Sequence, residues 1–239
     1  MLQRRISANW IDVSTRNLLS VHGVDRLPEF SRDRSTILVS SHRSFVDLFV
    51  VSSVIVKRGL EQRLMFPVRS QFFQDSPFGL AVNGAMSFFA MYPPLFRDRN
   101  KAELNRASVD ELVRLLRAAG ALFGLHPEGT RNKSNDPYTL LPARPGIVRA
   151  TRGRAVVIPV FINGLGNGFV RQVAGNYLKT GGPVTVVFGR PVEFDGVLDD
   201  PGADQLISER ARRGARPGRG GADHSREAAR GVDVTERRG

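Results

Sequence analysis

The stretch from Thr36 to Gly59 constrains the fold most, because it combines a short strand, a polar turn and an apolar helix. Its first five residues, TILVS, are mostly β-branched or apolar, which is typical of a strand buried on both faces. The apolar run from Phe45 to Val56 predicts a helix, and two cations and a glycine at 57–59 close it. His42 therefore lies in a strand-to-helix crevice, where open α/β sheets usually bind ligands.

Asp47 follows His42 by five residues and permits two interpretations. Ser44 and Asp47 have the spacing of a capping box, in which the carboxylate bonds back to the cap residue. A carboxylate one turn from His42 would also orient the imidazole and leave its other nitrogen as a base. Because the helix N-terminus favours the neutral ring and the carboxylate favours the cation, such a pair suits general-base catalysis near neutral pH.

Composition bounds the kinds of site that the chain can build. The absence of cysteine excludes disulfides, thiolate metal sites and a cysteine nucleophile. The four histidines are scattered and make no metal-ligand pair in the sequence, so we expect no metal. Trp10 and Asp12 stand where a secretory signal would be apolar, so we expect no cleavable signal and a cytoplasmic protein.

The formal net charge of +12, carried almost entirely by arginine, implies an anionic partner. Membrane phospholipid, a phosphorylated substrate and nucleic acid all fit, and so does a merely solvated arginine-rich surface. The basic C-terminal stretch carries no interleaved aromatic residue that would stack on bases, which argues against nucleic acid.

Strand and helix patterns alternate along the chain. Further strands are predicted at 63–68, 121–125, 155–161 and 184–188, and a helix at 103–119 has an apolar face that includes Leu104, Leu112 and Leu116. This alternation predicts an α/β fold with a mainly parallel or mixed sheet flanked by helices.

Three regions are predicted from these patterns. Residues 1–20 form an amphipathic or irregular N-terminal segment, residues 21–200 form the main domain after a turn-rich approach at 21–28, and residues 201–239 form a basic, disordered tail. The very apolar stretch 72–96 is interrupted by prolines and polar residues, so it contains no membrane span of about 20 residues. It reads either as buried packing or as a groove for an acyl chain at the bilayer surface.

A second polar stretch, His126 to Arg131 (HPEGTR), follows the strand at 121–125. Gly129 allows a tight turn, and Glu128, Thr130 and Arg131 enter the same crevice region as His42. An ion pair between Glu128 and Arg131 across the turn is a simpler interpretation, worth little if it is exposed.

The two stretches together resemble the motifs of the glycerolipid acyltransferases of the 1-acylglycerol-3-phosphate acyltransferase type, over about residues 21–193. His42 and Asp47 match the family's histidine and aspartate separated by four residues, with Ser44 as the usual serine and Ser41 in place of the usual asparagine. The phosphate-binding motif Glu-Gly-Thr-Arg is matched in full at 128–131.

Other family motifs are matched less closely. Arg99 matches the end of an intermediate motif, in which Pro93 replaces a glycine and Arg97 replaces an apolar residue. Arg144 stands where the family often has lysine, and Pro159 matches a later proline in an apolar strand.

The resemblance implies a glycerol-3-phosphate acyltransferase-like fold and an acyl transfer with His42 as general base and Asp47 as its partner. Arg99 and residues 128–131 would bind the acceptor phosphate, with Ser44, Arg97, Arg144 and Pro159 in support. The implied donor is acyl-CoA or acyl-carrier protein, without a bound cofactor, and the implied acceptor is lysophosphatidic acid or a similar phosphorylated glycerol, giving phosphatidic acid. The enzyme would lie peripherally on the inner, anionic face of the membrane.

Alternatives stay open within and outside this class. Glycerol 3-phosphate or another lysolipid would serve equally as acceptor. A serine hydrolase using Ser44, His42 and Asp47 is disfavoured because the serine is two residues from the histidine and lies in no G-x-S-x-G elbow. A non-catalytic basic membrane-binding protein would need neither His42 nor Asp47.

Overall fold

The computed structural model describes residues 2–69, 92–95, 99–134, 136, 138–142, 155–166 and 168–193. Its helices are α1 (Leu2–Thr15), α2 (Asp47–Lys57), α3 (Ala102–Arg117) and α4 (Phe169–Leu178), with 3-10 turns at Val24–Arg26 and Arg99–Lys101. Its strands are β1 (Leu19–His22), β2 (Thr36–Ser40), β3 (Arg63–Met65), β4 (Val68–Arg69), β5 (Pro94–Leu95), β6 (Ala121–Leu125), β7 (Val156–Asn163) and β8 (Val184–Phe188).

Six of these strands form one sheet in the order β1-β8-β7-β2-β6-β3, and β4 and β5 form a separate parallel pair. Strand β2 pairs in parallel with both β6 and β7, and β6 pairs in parallel with β3. Strand β8 is antiparallel to β7 and parallel to β1, so these two strands run against the other four. The predicted fold class, a mainly parallel or mixed sheet flanked by helices, is confirmed.

Both faces of the sheet are covered, which is why the central strands read as continuous apolar runs. Alternate residues of β2 enter different cores: Leu38 lies in a large cluster with residues of α1 and α2, whereas Ile37 and Val39 pack in a second cluster with residues of α3. All five residues of β2 are buried. The sheet is therefore the middle layer of a three-layer sandwich.

Gly124 of β6 lies directly against an aromatic ring, which leaves no space for a side chain. A Cβ built on this glycine would lie 1.8 Å from Cε1 of Phe66, far inside any contact distance. Phe66 is itself almost completely buried, at 1% exposure. The glycine thus makes room for the ring that fills the sheet face between β6 and the chain after β3.

Several elements differ from the predictions because tertiary contacts decide them. The stretch expected to be turn-rich begins inside β1, a four-residue edge strand whose short, half-exposed pattern gives little sequence signal. The strand expected at 63–68 ends at Met65, and Val68 joins a different sheet. Leu104, expected on the buried face of α3, is 51% exposed, whereas Leu112 and Leu116 further along the helix are buried in the core.

The N-terminal segment is a helix that packs on the main domain. Ala8 and Ile11 of α1 lie in the larger core, and the Asp12 carboxylate forms an ion pair with Lys57 at the end of α2. The division at residues 20 and 200 stays a prediction, and the tail at 201–239 lies outside the described residues, as does most of the apolar stretch 72–96. None of the helices in the described ranges has the length and apolar character needed to cross a bilayer.

Candidate active site

The two polar stretches leave the sheet side by side. Strands β2 and β6 are parallel neighbours, with Val39 opposite Leu125, so the residues after each strand emerge at the same edge. The N–H of Asn132 donates to the carbonyl of His42 over 2.7 Å and ties the two loops together. This edge is the crevice in which the sequence placed His42 and residues 126–131.

His42 and Asp47 form a direct pair. Nδ1 of His42 lies 3.2 Å from Oδ2 of Asp47, and because a carboxylate only accepts, Nδ1 carries the proton. The same oxygen accepts the backbone N–H groups of Arg43, over 2.7 Å, and Ser44, over 2.8 Å. The pair therefore holds the tautomer in which Nε2 of His42 can take a proton.

The Asp47 side chain is completely inaccessible to solvent, whereas that of His42 is 19% exposed. Burial raises the pKa of Asp47 above its ordinary value, while the hydrogen bonds from His42, Ser44 and Arg43 lower it and offset part of that effect. Oδ1 of Asp47 has no hydrogen-bond partner among the described residues. The carboxylate is thus a buried group aimed at one ring nitrogen, and the ring keeps access to solvent.

Ser41 and Ser44 anchor the His42 loop to β7 and the chain after it. Ser41 Oγ accepts the N–H of Ile162 over 3.1 Å and lies 3.3 Å from the carbonyl of the same residue. Ser44 Oγ donates to the carbonyl of Gly166 over 2.9 Å and accepts the N–H of Val46 over 3.3 Å. With its hydroxyl engaged and its side chain buried, Ser44 is poorly placed as a hydrolase nucleophile.

The predicted capping box is only half formed. Asp47 reaches back to the N–H of Ser44 as expected, but the Ser44 hydroxyl bonds the N–H two residues on, not three, and α2 begins at Asp47. The hydrogen bond from the Ser44 hydroxyl to the carbonyl of Gly166 explains this difference, because it turns the hydroxyl toward another part of the chain. Asp47 is both a partial cap and the partner of His42, so the two sequence interpretations are compatible.

Glu128 points inward and Arg131 lies on the outside of the second loop. Glu128 is 3% exposed, and its Oε1 accepts the N–H of Leu141 over 3.3 Å, while Oε2 has no partner among the described residues. Burial raises the pKa of Glu128, and the nearby charges of His42 and Arg43 act against this increase. Gly129 has a φ of 63°, a left-handed conformation that favours glycine, and Thr130 and Arg131 are exposed.

The remaining predicted residues are placed only in part. Arg99 begins a 3-10 turn, and its side chain, like all of Arg97 and Arg144, lies outside the described residues. Pro159 lies in β7 opposite Val39 of β2, and its carbonyl accepts the N–H of Gly189 over 2.8 Å. The catalytic, binding and supporting roles of these residues stay predictions.

Sequence reasoning gave no role to His126, Arg43 and Asn132, which the structure places beside the pair. The ring of His126 stacks on that of His42, with centroids 3.7 Å apart and planes 13° from parallel. Arg43 donates through Nη2 to the carbonyl of Ser134 over 2.7 Å, and Nη1 has no partner among the described residues. The available sequence signal was position: His126 directly follows a buried strand, and His42 follows another buried strand after one intervening residue.

The half-buried His126 has a neutral imidazole. Its Nδ1 lies 3.0 Å from the hydroxyl and 3.2 Å from the carbonyl of Ser40, so Nδ1 carries the proton. Burial lowers the pKa of His126 to about 3, and the neighbouring His42 acts in the same direction. Among the described residues, the two stacked rings thus differ in their partners, since the His42 ring is bonded to a carboxylate and the His126 ring to Ser40.

His42, Asp47 and His126 also bring one potential metal ligand each within 4.8 Å of one another. The donor geometry does not fit a metal ion, because lone pairs in two nearly parallel stacked rings cannot converge on one point. Each Nδ1 is moreover engaged, one with Asp47 and the other with Ser40. The cluster is better suited to moving a proton than to holding a cation.

Comparison with known proteins gives the family and the fold of the chain. The sequence model of the family described as Acyltransferase matches residues 19–163, more than half of the chain. The fold is similar to the crystal structure of the 1-acyl-sn-glycerophosphate (LPA) acyltransferase PlsC from Thermotoga maritima, with a TM-score of 0.54, 20% identity, and coverage of 89% of this chain and 79% of that one. A comparison with curated protein sequences found no match. The family match, which covers both polar stretches, shows that this chain belongs to the acyltransferase family.

Proposed function

We propose that the protein transfers a fatty acyl group from an acyl thioester to the free hydroxyl of 1-acylglycerol 3-phosphate, producing phosphatidic acid for phospholipid synthesis. The observation that carries this proposal is the contact between His42 Nδ1 and the buried Asp47 carboxylate, which leaves Nε2 as a base at a partly exposed edge of the sheet. The donor is acyl-CoA or acyl-carrier protein, and no bound cofactor takes part.

The chemistry needs one proton acceptor and no covalent enzyme intermediate. Nε2 of His42 removes the proton from the acceptor hydroxyl as its oxygen attacks the thioester carbonyl. The tetrahedral intermediate then collapses, the carbon–sulfur bond breaks, and the thiolate recovers the proton from the imidazolium. Asp47 stabilises that imidazolium, and a positioned base of this kind contributes roughly 10²- to 10⁴-fold to the rate.

The second loop supplies groups suited to a phosphorylated glycerol. Oε2 of Glu128, which has no partner among the residues that the structure describes, can accept a glycerol hydroxyl. Because Glu128 is buried and Arg131 is exposed, this role is favoured over an ion pair between the two. Arg131 and Arg99 would hold the phosphate, since a guanidinium makes paired charge-assisted bonds to such oxygens. Arg97 and Arg144 would add positive charge. The basic surface would keep the enzyme on the anionic inner face of the membrane.

The test is thiol release from acyl-CoA by the purified protein, with and without 1-acylglycerol 3-phosphate, beside His42→Ala. The matched control is His22→Ala, which removes an imidazole from the exposed side of β1, at an edge of the sheet. Acceptor-dependent release that only His42→Ala abolishes supports the reaction and its base. Acyl-carrier protein and glycerol 3-phosphate are tried as alternative donor and acceptor, and silence in every combination contradicts the proposal, leaving a non-catalytic membrane-binding protein.

A further inference from the structure

The stacking of His126 on His42 involves a ring that the proposed reaction does not use. The two imidazoles lie face to face, with a centroid separation of 3.7 Å and an angle of 13° between planes. Such contact covers one whole face of the His42 ring. The Asp47 bond restrains one ring nitrogen but leaves a coupled rotation of the two side-chain torsions of His42 free to tilt the ring. The stack restrains that tilt, which Asp47 does not.

His126 is itself held rigidly. Its Nδ1–H lies within hydrogen-bond distance of both the hydroxyl and the carbonyl of Ser40, the last residue of β2. The carbonyl of His126 accepts the N–H of Gly129 over 3.0 Å and closes the turn that follows β6. The ring is thus hydrogen-bonded to the end of β2 and directly follows β6, so His42 stacks on a group that belongs to a different loop.

A neutral His126 also suits a ring that stacks on the proposed base His42. When His42 takes a proton, a second cation stacked at 3.7 Å would repel it, whereas a neutral aromatic face attracts a cation. Burial and the neighbouring His42 lower the pKa of His126 to about 3 and keep its ring neutral, although the hydrogen bond to the Ser40 carbonyl acts against this decrease. That bond sets the tautomer in which Nδ1 carries the proton. Within the described residues, the ionisable groups that the structure places around His42 are Asp47 from α2, Arg43 beside it, and Glu128 and His126 from the loop after β6.

We propose that His126 is a positioning residue for His42: its ring, locked to Ser40, fixes the plane of the base imidazole and offers a neutral face to the imidazolium formed during acyl transfer. This inference rests on the proposed function in that His42 is taken as the base. Its structural part, the restraint of one ring by the other, does not depend on the identity of the acceptor.

Two substitutions separate the ring from its hydrogen bond. His126→Phe keeps an aromatic face over His42 and loses the bond to Ser40, whereas His126→Asn keeps an amide N–H that can donate to the Ser40 carbonyl and loses the ring. His126→Leu removes both. His22→Leu repeats the histidine-to-leucine change on β1, where the side chain is exposed and belongs to an edge strand that runs against β2.

The first readout is kinetic. We expect His126→Asn and His126→Leu to lower kcat roughly 10- to 100-fold, the scale expected when a catalytic group is misplaced by about 1 Å, with KM for donor and acceptor within about twofold of wild type. We expect His126→Phe to recover most of that loss and His22→Leu to show none. A His126→Phe protein as slow as His126→Asn, or a His126→Leu protein with wild-type kcat, would overturn the proposal.

The second readout needs no turnover and so separates this inference from the proposed function. In nitrogen-15 NMR spectra of the substrate-free protein, the Nδ1–H proton of His42 should be visible and slowly exchanging in wild type and His126→Phe. It should broaden or disappear in His126→Asn and His126→Leu, while backbone amide spectra confirm that each variant is folded. An unchanged Nδ1–H signal in folded His126→Leu refutes the restraint even if wild type proves active, and its loss supports the restraint even if no acceptor is found.

Discussion

Replacing Asp47 with asparagine should separate activity from stability. The carboxylate is completely buried and receives three N–H groups on Oδ2, from His42, Arg43 and Ser44. Burial is the largest influence on its pKa and raises it, so the native state holds the Asp47 proton more tightly than the unfolded chain does. Ionisation of Asp47 above the ordinary pKa of 3.8 therefore lowers the stability of the fold.

The magnitudes follow from the groups that each substitution leaves behind. In Asp47→Asn the amide side chain keeps one oxygen for the backbone N–H groups and removes the buried charge, so we expect the free energy of unfolding at pH 7 to be within about 1 kcal/mol of wild type or higher. Asp47→Ala leaves the Arg43 and Ser44 amides without an acceptor, at about 1–3 kcal/mol for each unsatisfied group. The catalytic loss should be large for both, because the charge that stabilises the imidazolium is gone. An asparagine in the equivalent place of a serine protease triad lowers kcat about 10⁴-fold.

The assay pairs thiol release with urea unfolding followed by circular dichroism, at several pH values. Asp47→Asn should lose at least about 10³-fold in kcat without loss of stability, and its advantage over wild type should grow as the pH rises above 3.8. The reasoning is refuted if Asp47→Asn keeps kcat within tenfold of wild type, or if it unfolds as easily as Asp47→Ala.

Three further outcomes are expected. Gly124→Ala should lower stability by about 1–3 kcal/mol because its Cβ would overlap Phe66, and Phe66→Leu should restore part of this loss in thermal unfolding; a wild-type melting temperature for the single variant would contradict the overlap. Burial lowers the pKa of His126 from 6.5 to about 3, so wild type should lose stability as the pH falls from 6.5 toward 3. In urea unfolding, the stability of His126→Phe relative to wild type should therefore improve across that window. A constant difference would contradict this expectation. Asn132→Ala removes the acceptor for the Ser134 N–H and the donor to the Thr139 carbonyl, so hydrogen exchange at Ser134 should speed up severalfold, and unchanged protection there would argue against this link.

The central layer could be predicted from the sequence because its strands are buried on both faces. Such strands need no partner information to be recognised, and the bounds predicted for β2, β6 and β8 agree with the structure. The neighbouring positions of His42 and Glu128 also followed, since both stretches directly follow strands that the alternating pattern makes parallel. Chain spacing alone was enough to bring Asp47 to His42.

Features that depend on distant partners could not be read in this way. Strand β1 is a strand only because β8 lies beside it, and its four half-exposed residues resemble a turn until that partner is present. The Ser44 hydroxyl turns away from its local cap because Gly166, more than a hundred residues later, offers a carbonyl. The stack of His126 on His42 requires the particular register of β2 and β6, which no local pattern encodes.

The residues that the family model matches are in contact with elements that lie outside the matched range. The family match spans residues 19–163, yet α1 lies before it and β8 after it. Helix α1 covers α2, whose first residue is Asp47, and β8 joins β1 to the rest of the sheet. A fragment cut to the matching residues would expose one side of the helix that carries Asp47 and detach its own first strand. On their own, the matched residues therefore lack both the helix that packs against α2 and the strand that links β1 to the sheet.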